Sequence, residues 1–498
     1  MESRKLTPFL VVAVLLTVII ALTAGSVSGG SFTVGPLTLV SGPSPFDGCT
    51  VGGNGSSVNY VNAEVDPRAA VSPTNPDNIV AVWQQDPWSD GGAHGLVTGV
   101  SFNGGATWSR TWAPFSSCSG GTIANGGDFD RASDPWVTFA ANGEVYQISQ
   151  STSADLLTSA ILVSKSPDGG LIWHDPTTLI SETTPFNFNA KGSITADPTN
   201  SNYVYAVWER SSKPGKNFNA LHSAAFSGDT MFSRTTNAGM SWDAPRSISG
   251  IMPRTANSFT TGNQIVVLPN GTLVNVFELV GLGSQHAVIS STQSLMRSTD
   301  KGVTWSSVID ISSDQSVAVL DPDTGEEVRA GAGLPDIAVD PNVGTLYVVW
   351  ADGRFSGGLH NDIALSLSTD GGLTWSAPIK VNQTTNGAAA FTPSVKVAAD
   401  GTVAVTYYDF RDNTAAQGVP TDYWVVHCHS ICTAPANWSE THVAGPFDIE
   451  TSPFVGGYFL GDYQGLASSG NEFKPFFIQT NTDNTANRTD AFIRTVGP

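Results

Sequence analysis

Three short stretches carry side chains that could do chemistry together. Gly461-Asp462-Tyr463-Gln464 sets a phenol beside a carboxylate, while Trp350-Ala351-Asp352-Gly353-Arg354 and Tyr408-Asp409-Phe410-Arg411-Asp412 each contain an acid-x-Arg spacing. A phenol with a pKa of about 10 is mostly protonated at neutral pH, so Tyr463 as a nucleophile needs a carboxylate within hydrogen-bond reach. Glu209 and Glu278 are the acids offered for that work. Without such a base Tyr463 is a packing residue, or a face on which a sugar stacks. The acid-x-Arg pairs read either as salt bridges that hold loops or as half of a ligand site, because a free guanidinium grips a carboxylate in two places.

Side chains so far apart in sequence can meet only if the chain repeats. Ser368-Thr369-Asp370-Gly371-Gly372-Leu373-Thr374-Trp375 is one of five octets with Ser/Thr first, Asp/Asn third, Gly fifth and Trp eighth. The others begin at Ser101, Ser166, Thr235 and Ser298, and their Trp residues, at 108, 173, 242, 305 and 375, fall 65, 69, 63 and 70 residues apart. The pattern suits a tight turn between strands: the Asp or Asn accepts backbone N–H groups, the Gly takes a positive φ, and the Trp covers the turn. A period of this length suits a four-stranded propeller blade.

Around the octets, apolar runs near Pro alternate with strands ending in an aromatic residue, as in Ile79-Val80-Ala81-Val82-Trp83 and Leu346-Tyr347-Val348-Val349-Trp350. No long stretch has helical periodicity, so the class is all-β. Counting first strands gives seven units, with six as the alternative, and the last unit lacks a fourth strand. Phe32 to Val40, a strand with no repeat of its own, is the expected replacement, pairing with the C-terminal blade to close the ring and cover its edge. The starts of inner strands and the exits of second strands then converge on one channel mouth. There the chain offers Glu64, Asp66, Arg68, Arg131, Asp134, Lys191, Asp336, Asp462 and Tyr463, and from the exits Gln85, Asp86, Glu209, Arg210, Glu278, Asp352, Arg354, Asp409 and Arg411.

The octets resemble the Asp boxes (BNR repeats) of the sialidase-like β-propellers, over nearly the whole chain after the N-terminal segment. The resemblance implies that the octets are structural and lie at the periphery, and that the channel mouth is the active site. It further implies an exo-α-sialidase-like glycoside hydrolase: Tyr463 as nucleophile, Glu278 (or Glu209) as its base, Asp86 (or Asp90) as acid/base, and Arg68, Arg354 and Arg411, with Asp462 beside them, as substrate-binding residues. The Arg-Ile-Pro motif of sialidases is here Arg68-Ala69-Ala70, a departure that leaves the arginine cluster unproved. A glycan-binding propeller without turnover and a cell-surface scaffold presenting loops to proteins are the two rival readings.

With a formal net charge of -20 and a pI near 4.6, the chain would be repelled by a nucleic-acid backbone or an anionic membrane surface. Arg4 and Lys5 precede an apolar run from Phe9 to Leu22, which marks residues 1–26 as a signal peptide or an N-terminal membrane anchor ahead of a propeller domain over 27–498. The expected setting is extracellular, or anchored to the outer face of the membrane, as a monomer acting on or binding carbohydrate or glycoconjugates. Cys49 with Cys118 and Cys428 with Cys432 are then expected as disulfides. His427-Cys428-His429-Ser430-Ile431-Cys432 crowds four metal-ligand types together, but no second cluster completes a tetrahedral site; no metal or cofactor is expected.

Overall fold

The computed structural model describes residues 30–212, 227–249, 258–283, 288–331 and 333–498. The expected signal or anchor segment lies outside them. Among the described residues no helix is long and apolar enough to cross a membrane.

Four-stranded antiparallel units follow one another along the chain, as the period of the octets requires. Blade 1 is Glu64–Val71, Ile79–Pro87, Ala93–Ser101 and Ser109–Thr111, and blade 2 is Arg131–Phe139, Val145–Thr152, Ser159–Ser166 and Thr177–Glu182. Blade 3 is Asn187–Ala196, Val204–Ser212, Ser227–Thr235 and Arg246–Ser247; blade 4 is Ser258–Val267, Leu273–Leu282, Val288–Ser298 and Ile309–Ser313. Blade 5 is Asp336–Val339, Leu346–Asp352, Asp362–Ser368 and Ile379–Lys380; blade 6 is Ala390–Val397, Val403–Asp409, Pro420–Cys428 and Ser439–Asp448. Blade 7 takes Gly465–Ser469, Glu472–Thr480 and Thr489–Ile493 from the C-terminus and its fourth strand, Thr38–Leu39, from the N-terminus. Each inner strand lies against the next, and that of blade 7 against that of blade 1, so the ring closes.

The closing segment differs from the single strand expected over 32–40. It forms two short pieces: Thr33–Val34 pairs with Val496–Gly497, and Thr38–Leu39 with Ile493 and Phe492. Gly35-Pro36 separates them, Pro36 having no N–H to offer a ladder. Phe32 is 5% exposed and stacks on His427 with ring centroids 3.6 Å apart, and Val40 is 2% exposed.

Apolar packing sits between neighbouring blades. Tyr347, Val349 and Leu365 of blade 5 meet Val395, Val405 and Tyr407 of blade 6, and Ile148 and Ile161 of blade 2 meet Val204 and Trp208 of blade 3. The octets join third and fourth strands, and their side chains close the turns as their types predict. Ser368 Oγ donates to Asp370 Oδ1 and accepts from Gly372 N, each at 2.8 Å, while Asp370 Oδ1 accepts from Leu373 N and Thr374 N, each at 2.9 Å. Hydrogen bonds, from Thr304 and Thr374 first, hold the Asp300 and Asp370 carboxyls down at about 2. Blade 6 has no octet; the Cys428–Cys432 disulfide occupies the same connection, and Trp438 Nε1 donates to Cys432 O at 3.1 Å much as Trp108 Nε1 donates to Gly105 O at 3.0 Å. Cys49 and Cys118 form the other disulfide.

Candidate functional site

Five inner strands break register near their starts, and in each the break puts two residues opposite one. Asp66-Pro67 faces Trp83, Asp134-Pro135 faces Ser149, Lys191-Gly192 faces Trp208, Gly262-Asn263 faces Phe277, and Thr392-Pro393 faces Tyr407. The first residue of every bulge has a positive φ: 55° at Asp66, 52° at Asp134, 49° at Lys191, 67° at Gly262 and 49° at Thr392. A bulge frees one residue from the ladder and re-aims its side chain. Aromatic residues within the second strands, which run on past the ends expected from sequence, are the buried counterparts: Trp83, Trp208, Phe277 and Tyr407 are each 0% exposed.

The freed side chains meet at the mouth. Lys191 Nζ lies 2.6 Å from Asp462 Oδ2, and Arg329 reaches the same carboxylate through Nη2 at 2.6 Å and Nε at 3.1 Å. Asp462 N donates to Asp66 Oδ1 at 2.6 Å, and Lys191 N to Asp134 Oδ2 at 2.8 Å. Arg329 is carried in by a small sheet between blades, in which Glu327–Arg329 pairs with Val319–Leu320 and runs parallel to Tyr458–Phe459. Its guanidinium also lies 4.3 Å from the centroid of the Phe459 ring.

These contacts divide the carboxyls. Burial alone would raise Asp462, but Arg329 and Lys191 hold it far below its ordinary value. Burial, then the charges of Asp462 and Asp134, pushes Asp66 up to about 8. Glu209 is raised, by burial first, and Glu278 is pushed up to about 7 by burial and then by Asp314. Two clefts flank the Lys191–Asp462–Arg329 group. One, of about 710 Å³, runs past Glu278, Ser291 and Asp314; the other, of about 240 Å³, passes Asp66, Asp134, Trp88 and Phe188.

Of the residues singled out by sequence, Asp462, Glu278 and Glu209 are at this mouth. Tyr463 and Arg68 lie deeper in the channel: Arg68 is sandwiched between the Trp136 ring at 3.6 Å and the Tyr463 ring at 4.5 Å, and its Nη1 is 3.4 Å from Asp336. The Tyr463 hydroxyl donates to Pro135 O at 3.5 Å rather than to Glu209 or Glu278, and burial with the charges of Asp66 and Asp134 raises its pKa. Asp86 is 0% exposed, where it accepts from Ser44 Oγ at 2.5 Å and Asn62 N at 2.8 Å. Asp90 pairs with Arg131 at 2.9 Å. Arg354 binds Asp352 at 2.8 Å and reaches across to Ser312 Oγ at 3.1 Å and to Ser313 O at the end of blade 4, and Arg411 binds Asp409 at 2.7 Å and Glu440 at 2.5 Å with its guanidinium 3.7 Å over Trp424. The acid-x-Arg pairs are thus salt bridges that hold loops.

Sequence reasoning missed Arg329 and Asp314. Both sit between the last strand of blade 4 and the first of blade 5, a connection over 314–335 that is long for its kind, and that length was the available signal.

No family model matches the chain, and no curated protein matches it. Among solved structures it is similar to the Hadza microbial sialidase Hz136, at 13% identity and a TM-score of 0.48 over 83% of this chain and 72% of that one. It is likewise similar to an α-L-arabinanase of Penicillium chrysogenum complexed with arabinobiose, at 12% identity and 0.47 over 93% and 98%, and to a protein of unknown function from Dyadobacter fermentans, at 14% and 0.47 over 74% and 94%. The chain's own strand order, closed ring and octet turns make its fold a β-propeller.

Proposed function

We propose that the protein is an exported propeller that acts on or binds carbohydrate at this mouth, as a glycoside hydrolase whose acid is Glu278. The observation that carries the reading is a pair of carboxyls on one cleft with opposite protonation: Glu278, held up to about 7, and Asp462, held ionised by Arg329 and Lys191. Such a split is how two carboxyls divide acid and base work in glycoside hydrolysis. Glu278 would give its proton to the leaving-group oxygen as the glycosidic C–O bond breaks. Water then supplies the hydroxyl to the anomeric carbon and returns its proton to the Glu278 carboxylate, while Asp462, fixed by Arg329 and Lys191, accepts from a sugar hydroxyl. The two disulfides support export.

The substrate suited to this mouth is a neutral sugar. Lys191 and Arg329 are both engaged by Asp462, with the charge of Asp134 close to each, and Arg68, Arg354 and Arg411 each have a carboxylate partner. The other acids around the mouth, Asp134, Glu209 and Asp314, would repel a sialic-acid carboxylate when ionised, whereas sugar hydroxyls donate to them. Turnover of a panel of aryl glycosides, sialosides and arabinosides among them, tests the reading: release from a neutral glycoside, reduced at least a hundredfold in Glu278→Gln, supports it. Retention on a glycan array without turnover replaces hydrolysis by binding. Neither result leaves a scaffold for protein partners.

A further inference from the structure

The far end of the channel is a separate chamber. Its volume is about 310 Å³, and its walls are the outgoing halves of all seven inner strands. That size is at the lower end of what holds a small organic molecule. The walls mix aliphatic side chains, Val71, Ile194 and Leu466 among them, with the polar Thr138, Thr195 and Ser468, and the floor is the Arg68–Trp136 stack.

Its charge opposes that of the chain. Against a formal net charge of -20, the charged residues lining the chamber are two cations, Arg68 and Lys396, and one anion, Asp336. Asp336 is largely consumed: Oδ2 accepts from Ser394 Oγ at 2.7 Å and from Val395 N at 2.8 Å, and Oδ1 lies 3.4 Å from Arg68 Nη1. Arg68 is 7% exposed, and its buried Nε has no hydrogen-bond partner among the described residues. Lys396 projects from an otherwise buried strand into the chamber, and among the described residues no hydrogen bond or ion pair reaches its ammonium. A buried donor left unpaired is costly, as are two cations facing one engaged carboxylate, and both costs vanish when an anion enters.

We propose that this chamber binds a small organic monoanion, a carboxylate whose apolar body lies against the aliphatic walls while its oxygens bridge Arg68 and Lys396. One negative charge balances the set, and the aliphatic part of the wall gives an organic body a contact surface that a hydrated inorganic anion does not use. The site is independent of the proposed chemistry at the mouth.

Calorimetric titration of the full chain with sodium benzoate tests the proposal, with sodium chloride and inorganic phosphate as parallel arms. Saturable 1:1 binding of benzoate is expected. Kd should rise at least tenfold in Lys396→Met, recover in Lys396→Arg, and stay unchanged in Glu278→Gln. Lys396 is exposed to the channel, so these variants are expected to fold, which circular dichroism checks. Absence of benzoate binding, an unchanged Kd in Lys396→Met, a changed Kd in Glu278→Gln, or equal binding of chloride and phosphate would each overturn the proposal.

Discussion

Glu278→Gln should stabilise the protein, and by an amount that depends on pH. The side chain is 8% exposed, its Oε1 accepts from Ser291 Oγ at 2.7 Å, and its carboxyl is raised from an ordinary 4.5 to about 7. Because the folded value lies above the unfolded one, the stability that this group contributes is fully present below pH 4.5 and is lost as pH rises through 7. The gap of 2.5 between 7 and 4.5, at 1.36 kcal/mol per unit, corresponds to about 3 kcal/mol. Glutamine keeps the shape and an acceptor for Ser291 but carries no charge. Urea unfolding of both proteins should therefore show near-equal stability at pH 4.5, and at pH 9 an advantage of about 3 kcal/mol to the variant. A difference that is the same at both pH values, or a variant less stable at pH 9, would refute the reasoning. Stabilisation with loss of turnover would mark Glu278 as a strained functional acid.

The disulfides should differ in weight because their loops differ in length. Replacing both members of Cys49–Cys118, separated by 69 residues, should cost about 4 kcal/mol, and replacing both of Cys428–Cys432, separated by 4, about 2 kcal/mol, measured by chemical denaturation. Asp370→Ala removes the acceptor for Leu373 N, Thr374 N and Thr374 Oγ1 and should cost about 1–2 kcal/mol; Asp370→Asn should recover part of this. Deleting residues 31–41 uncovers the Thr489–Ile493 edge and empties the places of Phe32 and Val40. Light scattering should show association and calorimetry a lower Tm; a monomer with an unchanged Tm contradicts the role given to this segment.

The octets were legible because each residue type works within eight residues of chain: hydroxyl, carboxylate, glycine and indole satisfy one another locally. The second strands were legible too, since Trp83, Trp208 and Trp350 mark where a strand is buried on both faces, although each strand runs on past its aromatic residue. The mouth was legible in its membership but not in its pairing. Asp66, Asp134, Lys191 and Asp462 stand at recognisable inner-strand starts, yet nothing local says that Lys191 and Asp462, 271 residues apart, share a bond. Arg354 and Arg411 were ambiguous for the opposite reason: an acid two residues away competes for each guanidinium, and in the folded chain that neighbour wins. Arg329 was invisible, because it arrives on a connection outside the repeat.

The bulges that open five inner strands separate what holds the ring from what faces its mouth. Each ladder resumes on the far side of the bulge, so the bulge's first residue carries almost none of the pairing. What constrains it is a positive φ, which costs a side-chain-bearing residue roughly 1–2 kcal/mol, together with the side-chain bonds that Asp66, Asp134 and Thr392 make to neighbouring segments. Residues 66, 134, 191, 262 and 392 therefore behave as sockets around a fixed hub. Exchanging Lys191, whose side chain bonds only within the mouth, for Asn or Gly should rewrite the chemistry of that spoke and leave the wheel standing.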